Sequence, residues 1–363
     1  MSHTGELHKI LCLRLRSMGD AVLMTPAMAA LRAAWPRAEI GLVLSEELVA
    51  FFEDHPWVDE VLALGRRPVD KLALARTIRR SRYDAVINFH GGPTSAWLTA
   101  AAGAPLRVGR NAYRFRFLYN VRARPPQEVF SETSAVHTVH TQASLVAALG
   151  LQVRDLSLCL RVPNGARERL TERLEALRAP SRGYVVLQPT ASFSTKQWTE
   201  ERFVSLIRQL REQTKLPVLV SLPGGPAGRL VERFSRESPV LSGLSSGELM
   251  ALMEGARFYV GNDSGPMHVA AALGTPVVAI FGSSDPRRWH PWRVPQRTLW
   301  AGLDCSPCHG KWCANPNQLA CLTEISVESV LAAAQSLLAE ISEQAEGIIA
   351  KAPDGSPKAG WAG

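Results

Sequence analysis

Apolar residues along this chain gather in short runs, separated by stretches in which apolar positions recur at helical spacing. His8–Leu15 (HKILCLRL) is β-rich, and Ser17-Met18-Gly19-Asp20 breaks it. From Ala21 to Trp35, Val22, Met24, Met28, Leu31 and Trp35 share one helical face before Pro36 stops the pattern. Glu39–Leu44 resumes as a strand. The same alternation predicts a helix over Leu72–Arg82, a buried strand over Ala85–Phe89, a loop at His90-Gly91-Gly92-Pro93 and a helix over Thr94–Ala102. It continues with a strand over Leu106–Gly109 and a helix over His137–Leu149, then a short strand and a charged helix between Leu151 and Tyr184.

The pattern starts again after a Pro/Ser/Gly break at Ala179–Gly183. Tyr184–Leu187, Pro217–Leu222, Val240–Leu244, Phe258–Val260 and Thr275–Phe281 read as strands. Thr199–Thr214, Ser245–Glu254, Met267–Leu273 and Ile325–Ile341 read as helices. Strands alternating with helices predict an α/β protein with parallel sheets. At 363 residues the chain exceeds one core. The expected organisation is an α/β domain over residues 1–180, a second over 181–345, and a Pro/Gly/Ala-rich disordered tail over 346–363.

Composition narrows the class. Hydrophobic residues at 46% and charged residues at 20% are globular values. No apolar run approaches the roughly 18 residues that span a bilayer. The N-terminus does not read as a signal peptide, so a cytoplasmic location is expected and the six cysteines are not expected to form structural disulfides. The formal charge of +8 admits a phosphorylated substrate, anionic lipid or nucleic acid, or simply a basic surface. Its distribution is uneven. Arg107, Arg110, Arg114, Arg116, Arg122 and Arg124 lie in a stretch with no Asp or Glu between Asp84 and Glu128, interleaved with Tyr113, Phe115, Phe117 and Tyr119. This reads as a solvated basic loop or strand, or as a surface where Arg110, Arg114 and Arg116 grip a phosphorylated, lipid-linked acceptor; basic residues interleaved with aromatics also fit single-stranded nucleic acid. No RNA- or DNA-binding motif accompanies it, and no nucleic-acid partner is expected.

Three loops carry candidate chemistry. Asp20 lies where the first strand turns into a helix, at the edge where open α/β sheets place ligands; the plain alternative is a helix cap. Gln188–Trp198 (QPTASFSTKQW) follows the first strand of the second half. Gly261-Asn262-Asp263-Ser264-Gly265-Pro266 precedes a helix whose amino end suits a phosphate, with Asp263 or Ser264 as caps in the plain reading.

The stretches RLRSMGDAVLMTPAMAALRAAWPRAEIGLVL, QPTASFSTKQWTEERFVSLIRQL and DSGPMHVAAALGTPVVAIFG occur in this order. Together they resemble glycosyltransferase family 9, the ADP-heptose:lipopolysaccharide heptosyltransferases, over roughly residues 8–335. The resemblance implies two doubly wound Rossmann-like domains facing a cleft, the GT-B fold. It implies inverting transfer of heptose from ADP-heptose to the lipopolysaccharide inner core, with no cofactor required and peripheral contact with the inner membrane face. Asp20 is then the general base, and Lys196 contacts the donor diphosphate. Thr190, Ser192, Asp263, Ser264, Gly265 and His268 complete the donor site, and Arg110, Arg114 and Arg116 face the acceptor. One departure is Gly228, which stands where family members often carry a ribose-binding Glu; Glu232 is the nearest acid downstream. Cys305, Cys308, Cys313 and Cys321 (C-x2-C-x4-C-x7-C) resemble a cluster near the end of second-heptose and protein-modifying heptosyltransferases, and read either as metal ligands or as buried reduced thiols. Other readings are a transferase for another acceptor such as a protein, and a non-catalytic nucleotide-sugar-binding protein. A nicotinamide oxidoreductase is disfavoured, because RSMGDA stands where G-x-G-x-x-G would follow the first strand.

Overall fold

The computed structural model describes residues 5–131, 135–225 and 228–350. Among the described residues twelve strands form two six-stranded sheets. The first contains β1 (Lys9–Leu13), β2 (Glu39–Ser45), β3 (Glu60–Leu64), β4 (Ala85–Asn88), β5 (Leu106–Arg110) and β6 (Val121–Ala123), in the order β3-β2-β1-β4-β5-β6. The second contains β7 (Tyr184–Gln188), β8 (Val218–Leu222), β9 (Val240–Ser242), β10 (Ala256–Asn262), β11 (Val277–Phe281) and β12 (Gln296–Trp300), in the order β12-β11-β10-β7-β8-β9. Every ladder is parallel. Counted from the first strand of each sheet, both orders are the doubly wound 3-2-1-4-5-6 of a Rossmann fold.

The inner strands β1, β2, β4, β7, β8 and β11 are apolar and buried along almost their whole length, as expected when helices cover both faces. The edge strands β3 and β12 escape the sequence reading. Both are half-exposed, and EVLAL and QRTLW lack the continuous apolar signature of the inner strands. In the second unit Phe203, Leu206, Ile207 and Leu210 bury one face of the helix Glu200–Thr214, each contributing roughly 1.5–3 kcal/mol. Trp198 lies beside them, fully buried, its indole donating to the Ile325 carbonyl at 3.0 Å.

Three expectations are corrected. The helix expected over Ala21–Trp35 is two, Met18–Leu23 and Thr25–Ala34. Pro26 cannot donate and crowds the Val22 carbonyl, which accepts from Thr25 Oγ1 at 2.8 Å instead. The strand expected just after Leu151 is an irregular segment. Its backbone is satisfied by side chains: the Cys159 amide donates to Thr25 Oγ1 at 3.1 Å, and the Leu156 carbonyl accepts from the Trp292 indole at 2.8 Å. Residues 346–350, expected as the start of a tail, are instead helical, within the helix Val327–Ala350. A single Gly at 347 costs about 1 kcal/mol, too little to end a helix of good formers. The rest of the expected tail, residues 351–363, lies outside the described residues.

The chain divides into two compact units. One takes it as far as Leu170, with Leu244–Leu252 and Arg287–Trp292; the other takes Thr171–Gly243, Met253–Pro286 and the chain from Arg293 on. The composition break at Ala179–Gly183 thus lies inside the second unit, and the first recovers two later segments. In the first unit Trp292 stacks on His137 with centroids 4.4 Å apart.

Also in the first unit, burial pushes the His55 imidazole down to about 4. The Trp57 amide donates to Nδ1 at 3.4 Å and Nε2 donates to the Cys159 carbonyl at 3.2 Å, so the neutral ring is satisfied at both nitrogens. The unfolded imidazole takes a proton near its ordinary value of about 6.5. The contribution is therefore whole above that pH and is lost as pH falls toward 4, by about 3 kcal/mol. Urea unfolding of His55→Leu should be less acid-sensitive than the parent across this window. Equal pH dependence in both chains would assign the acid sensitivity to other groups.

Candidate active site

In a doubly wound sheet the crevice for ligands opens at the carboxyl edge where strand order reverses. In the first unit that point lies between β1 and β4, and in the second between β7 and β10. The loops leaving these four strands carry most of the candidate chemistry.

After β1, Ser17 occupies the N-cap of the helix Met18–Leu23, so Asp20 is not the cap. Its carboxylate turns toward the sheet and forms an ion pair with Arg14, through Arg14 Nη2 and Asp20 Oδ2. Ser17 Oγ donates to the same oxygen at 3.1 Å. Arg14 is buried and donates from Nη1 to the Phe89 carbonyl, which ties the Asp20 turn to the loop after β4.

That loop is built on Asn88. Its Oδ1 accepts from the amides of His90 and Gly91 at 3.0 and 2.9 Å, and its Nδ2 donates to Tyr119 Oη at 2.8 Å and Thr99 Oγ1 at 3.2 Å. Tyr113 Oη donates to the Asn88 carbonyl at 3.1 Å. Gly91 has φ +79°, and a Cβ there would meet the Tyr113 ring at 2.4 Å, so the turn requires glycine. His90 Nδ1 lies 3.2 Å from the Arg16 carbonyl. Burial, with the nearby Arg14 charge, lowers the His90 imidazole below its ordinary value. Burial raises the Tyr113 phenol to about 12.

The arginine-rich segment separates into distinct parts. Arg107 braces its own loop, donating to the Leu118 carbonyl at 2.8 Å and the Ala104 carbonyl at 2.7 Å, and is not available as an acceptor contact. Tyr113 and Tyr119 support the Asn88 loop, so the expected aromatic alternation does not make one surface stripe. Arg114 and Arg116 are exposed; Arg110 is half-buried, its guanidinium carbon 6.0 Å from the Tyr113 ring centre.

In the second unit, Lys196 ends a 3-10 turn, Ser194–Lys196, rather than opening the next helix, which Thr199 caps. Lys196 Nζ donates to Asp263 Oδ2 at 2.6 Å. Ser284 Oγ donates to the same oxygen. Asp263 is 5% exposed and Lys196 is 26% exposed, so the ammonium reaches solvent while its partner lies beneath it. Asn262 fixes the floor: Oδ1 accepts from the Trp198 amide at 3.0 Å and Nδ2 donates to the Pro189 carbonyl at 2.9 Å. Ser283 joins this floor through Thr195, and a Cβ on Gly282 would strike the Thr195 carbonyl at 2.4 Å. Ser264 stands at the N-cap of the helix Gly265–Ala272 without a side-chain capping bond, and Gly265 follows it. His268 is buried on that helix. Thr190 Oγ1 accepts from Gln188 Nε2 at 2.8 Å, and Ser192 is exposed. A cavity of about 270 Å³ adjoins this turn, lined by Ser194, Gln197, Trp198, Thr199, Glu200 and Arg229. Gly228 starts the helix Gly228–Ser235, and Glu232 is tied to Arg236 at 2.6 Å.

The profile of glycosyltransferase family 9 (heptosyltransferase) matches residues 71–319, more than half of the chain. The chain belongs to glycosyltransferase family 9. It is 28% identical over 350 residues to lipopolysaccharide heptosyltransferase 3 of Escherichia coli (strain K12), covering 92% of this chain and 98% of that protein. Among solved structures, the family 9 glycosyl transferase from Veillonella parvula superposes with a TM-score of 0.78 at 24% identity, covering 93% of this chain and all of that one. The E. coli ADP-heptose lps heptosyltransferase II superposes with a TM-score of 0.74 at 22% identity, covering 92% and 99% of the two chains. The likeness therefore extends beyond the second-heptose type. The fold is that of these glycosyltransferases, with two Rossmann-like units.

Arg14, Asn88, His90 and Ser284 escaped the sequence reading as site residues. His90 stands in the strand-end loop HGGP, which is the signal that could have found it; Arg14 reads as part of the β-rich run His8–Leu15, where a charged residue next to the Ser17–Asp20 turn is the one cue. The four clustered cysteines differ in exposure, and the buried-thiol reading fits Cys321 among them. Cys305 and Cys308 are exposed, Cys313 is half-buried and Cys321 is buried. Among the described residues, no three His, Cys, Asp or Glu side chains converge as metal ligands. Burial, then the neighbouring thiols of Cys313, Cys305 and Cys308, raise the Cys321 thiol. Among the described residues no helix is long and apolar enough to cross a membrane.

Proposed function

We propose that this chain transfers heptose from ADP-heptose to the inner core of lipopolysaccharide, with inversion at the anomeric carbon. The observation that carries this reading is the placement of charged groups at the switch points, a carboxylate (Asp20) in one unit and a lysine (Lys196) in the other. Its relatives support it by name, as lipopolysaccharide and ADP-heptose transferases. Asp20 takes the proton from the acceptor hydroxyl as its oxygen bonds to the anomeric carbon, and the bond to the β-phosphate breaks. Arg14 and Ser17 hold Oδ2, leaving Oδ1 for the incoming proton. Lys196 and the first amides of the helix Gly265–Ala272 receive the charge of the departing ADP. Asp263 acts through Lys196, because a carboxylate against a diphosphate would repel it. Thr190, Ser192, Ser264, Gly265 and His268 border the donor. No cofactor is required by this route. The setting is the cytoplasmic side of the inner membrane, with peripheral contact.

The deciding assay is ADP release from ADP-heptose with core acceptors that lack successive heptoses. Release with one defined core acceptor is expected. ADP binding without release on any core or protein acceptor would instead make the chain a nucleotide-sugar-binding protein.

Arg110, Arg114 and Arg116 serve the phosphorylated acceptor, through attraction that salt screens over roughly 8 Å at physiological ionic strength. Replacing all three by Gln should raise the acceptor KM and flatten its salt dependence, with donor KM nearly unchanged. A change in donor KM alone would reverse the assignment of the two half-sites.

A further inference from the structure

Charge on this chain is segregated. Residues 66–124 contain thirteen Lys and Arg against two Asp, a balance of +11, while the whole chain carries +8; the remaining sequence is therefore net acidic. Both acids in the segment are engaged. Asp70 pairs with Arg67 at 2.7 Å, and Asp84 accepts from the amides of His8 and Lys9 at 2.8 Å. Four of the seven exposed large hydrophobic side chains among the described residues fall in the same segment: Val69 (59% exposed), Leu72 (43%), Trp97 (42%) and Phe117 (72%).

These side chains sit on neighbouring elements. The helices Pro68–Ser81 and Pro93–Ala102 pack together on one face of the first sheet, through Leu74, Ala75, Ile78, Leu98 and Ala102. The turn Arg116–Leu118 packs against the second helix. The outward stripe of Pro68–Ser81 runs Val69, Leu72, Ala73, Arg76, Thr77, Arg80, apolar at first and basic at its end. A crossover helix returns from the carboxyl edge of a parallel sheet. Val69, Leu72 and Trp97 fall within the first five residues of their helices, toward the edge that carries Asp20 and His90. Beyond the carboxyl ends of both helices lies a cavity of about 540 Å³ lined by Arg79, Arg80, Arg82, Tyr83, Asp84 and Gly103.

We propose that this surface docks on an anionic phospholipid bilayer. Val69, Leu72, Trp97 and Phe117 seat at the boundary between headgroups and acyl chains. Arg76, Arg80 and the arginine-lined cavity engage lipid phosphates. The exposed aliphatic pair favours lipid over single-stranded nucleic acid, whose bases require aromatic platforms. The inference deepens the membrane contact in the proposed function by naming the surface and its ligand, and its test needs no catalysis.

Flotation of the full chain should show binding to vesicles of equimolar phosphatidylglycerol and phosphatidylcholine, and none to phosphatidylcholine alone. Arg76→Glu with Arg80→Glu should lower partitioning by roughly tenfold or more. Leu72→Ser with Trp97→Ser should lower it by roughly tenfold as well. Thermal unfolding and ADP binding should match the parent in both variants. Parent protein left in solution with the mixed vesicles would overturn the proposal. So would full binding by the Leu72/Trp97 variant combined with displacement by a single-stranded oligonucleotide, which would mark a general polyanion surface. Failure of the transferase assay alone would leave the docking result standing.

Discussion

Asp20→Asn should lower kcat by roughly 100-fold or more while leaving donor affinity within a few-fold of the parent. Asn keeps an oxygen that can accept from Arg14 and Ser17, so the turn between β1 and its helix should hold its shape. It does not supply a carboxylate to accept the acceptor's proton. The split between kcat and donor affinity is the informative readout, because a merely structural partner of Arg14 would not produce it. Asp20→Ala should also destabilise the fold, since the buried Arg14 guanidinium would lose its anion. Turnover of the Asn variant within a few-fold of the parent would reduce Asp20 to an anchor for Arg14.

Lys196→Ala should weaken ADP and ADP-heptose binding by roughly 10- to 100-fold, the worth of about 1.5–3 kcal/mol for a hydrogen bond to a charged group. The variant also leaves Asp263 buried beside only Ser284 Oγ, so it should unfold more easily. Adding Asp263→Asn separates the two effects. The double variant should regain stability, because no unpaired carboxylate remains, but it should not regain ADP affinity. Calorimetry showing parental affinity for both nucleotides in Lys196→Ala would remove the lysine from the donor site.

Some of this was legible before any tertiary contact was known. Leu11–Leu13, Val86–Ile87, Val185–Leu187 and Val278–Ile280 announce themselves because a strand buried on both faces must be apolar at every position. Helices such as Glu200–Thr214 are equally legible, since one buried face imposes a 3.6-residue period. The edge strands β3 and β12 were not, because a half-covered strand has no such constraint. The stretch after Leu151 misled in the opposite sense. Its alternating apolar residues are buried or half-buried, but the partners of its backbone are Thr25 and Trp292 rather than a neighbouring strand.

The same division runs through the site. Sequence alone determined the two α/β halves, the ordered family motifs, and Asp20, Lys196 and Asp263 as residues standing in strand-end turns. Turn residues and motif spacing are local properties, and local sequence records them. Tertiary structure alone decided what each charge faces. Arg14 meets Asp20 and the Phe89 carbonyl; Lys196 meets an Asp263 that lies 67 positions away; Arg107, indistinguishable in sequence from Arg114, spends its guanidinium on its own loop. An ion pair depends on distance and burial after the chain has folded, and neither quantity is written in the identity of a single residue.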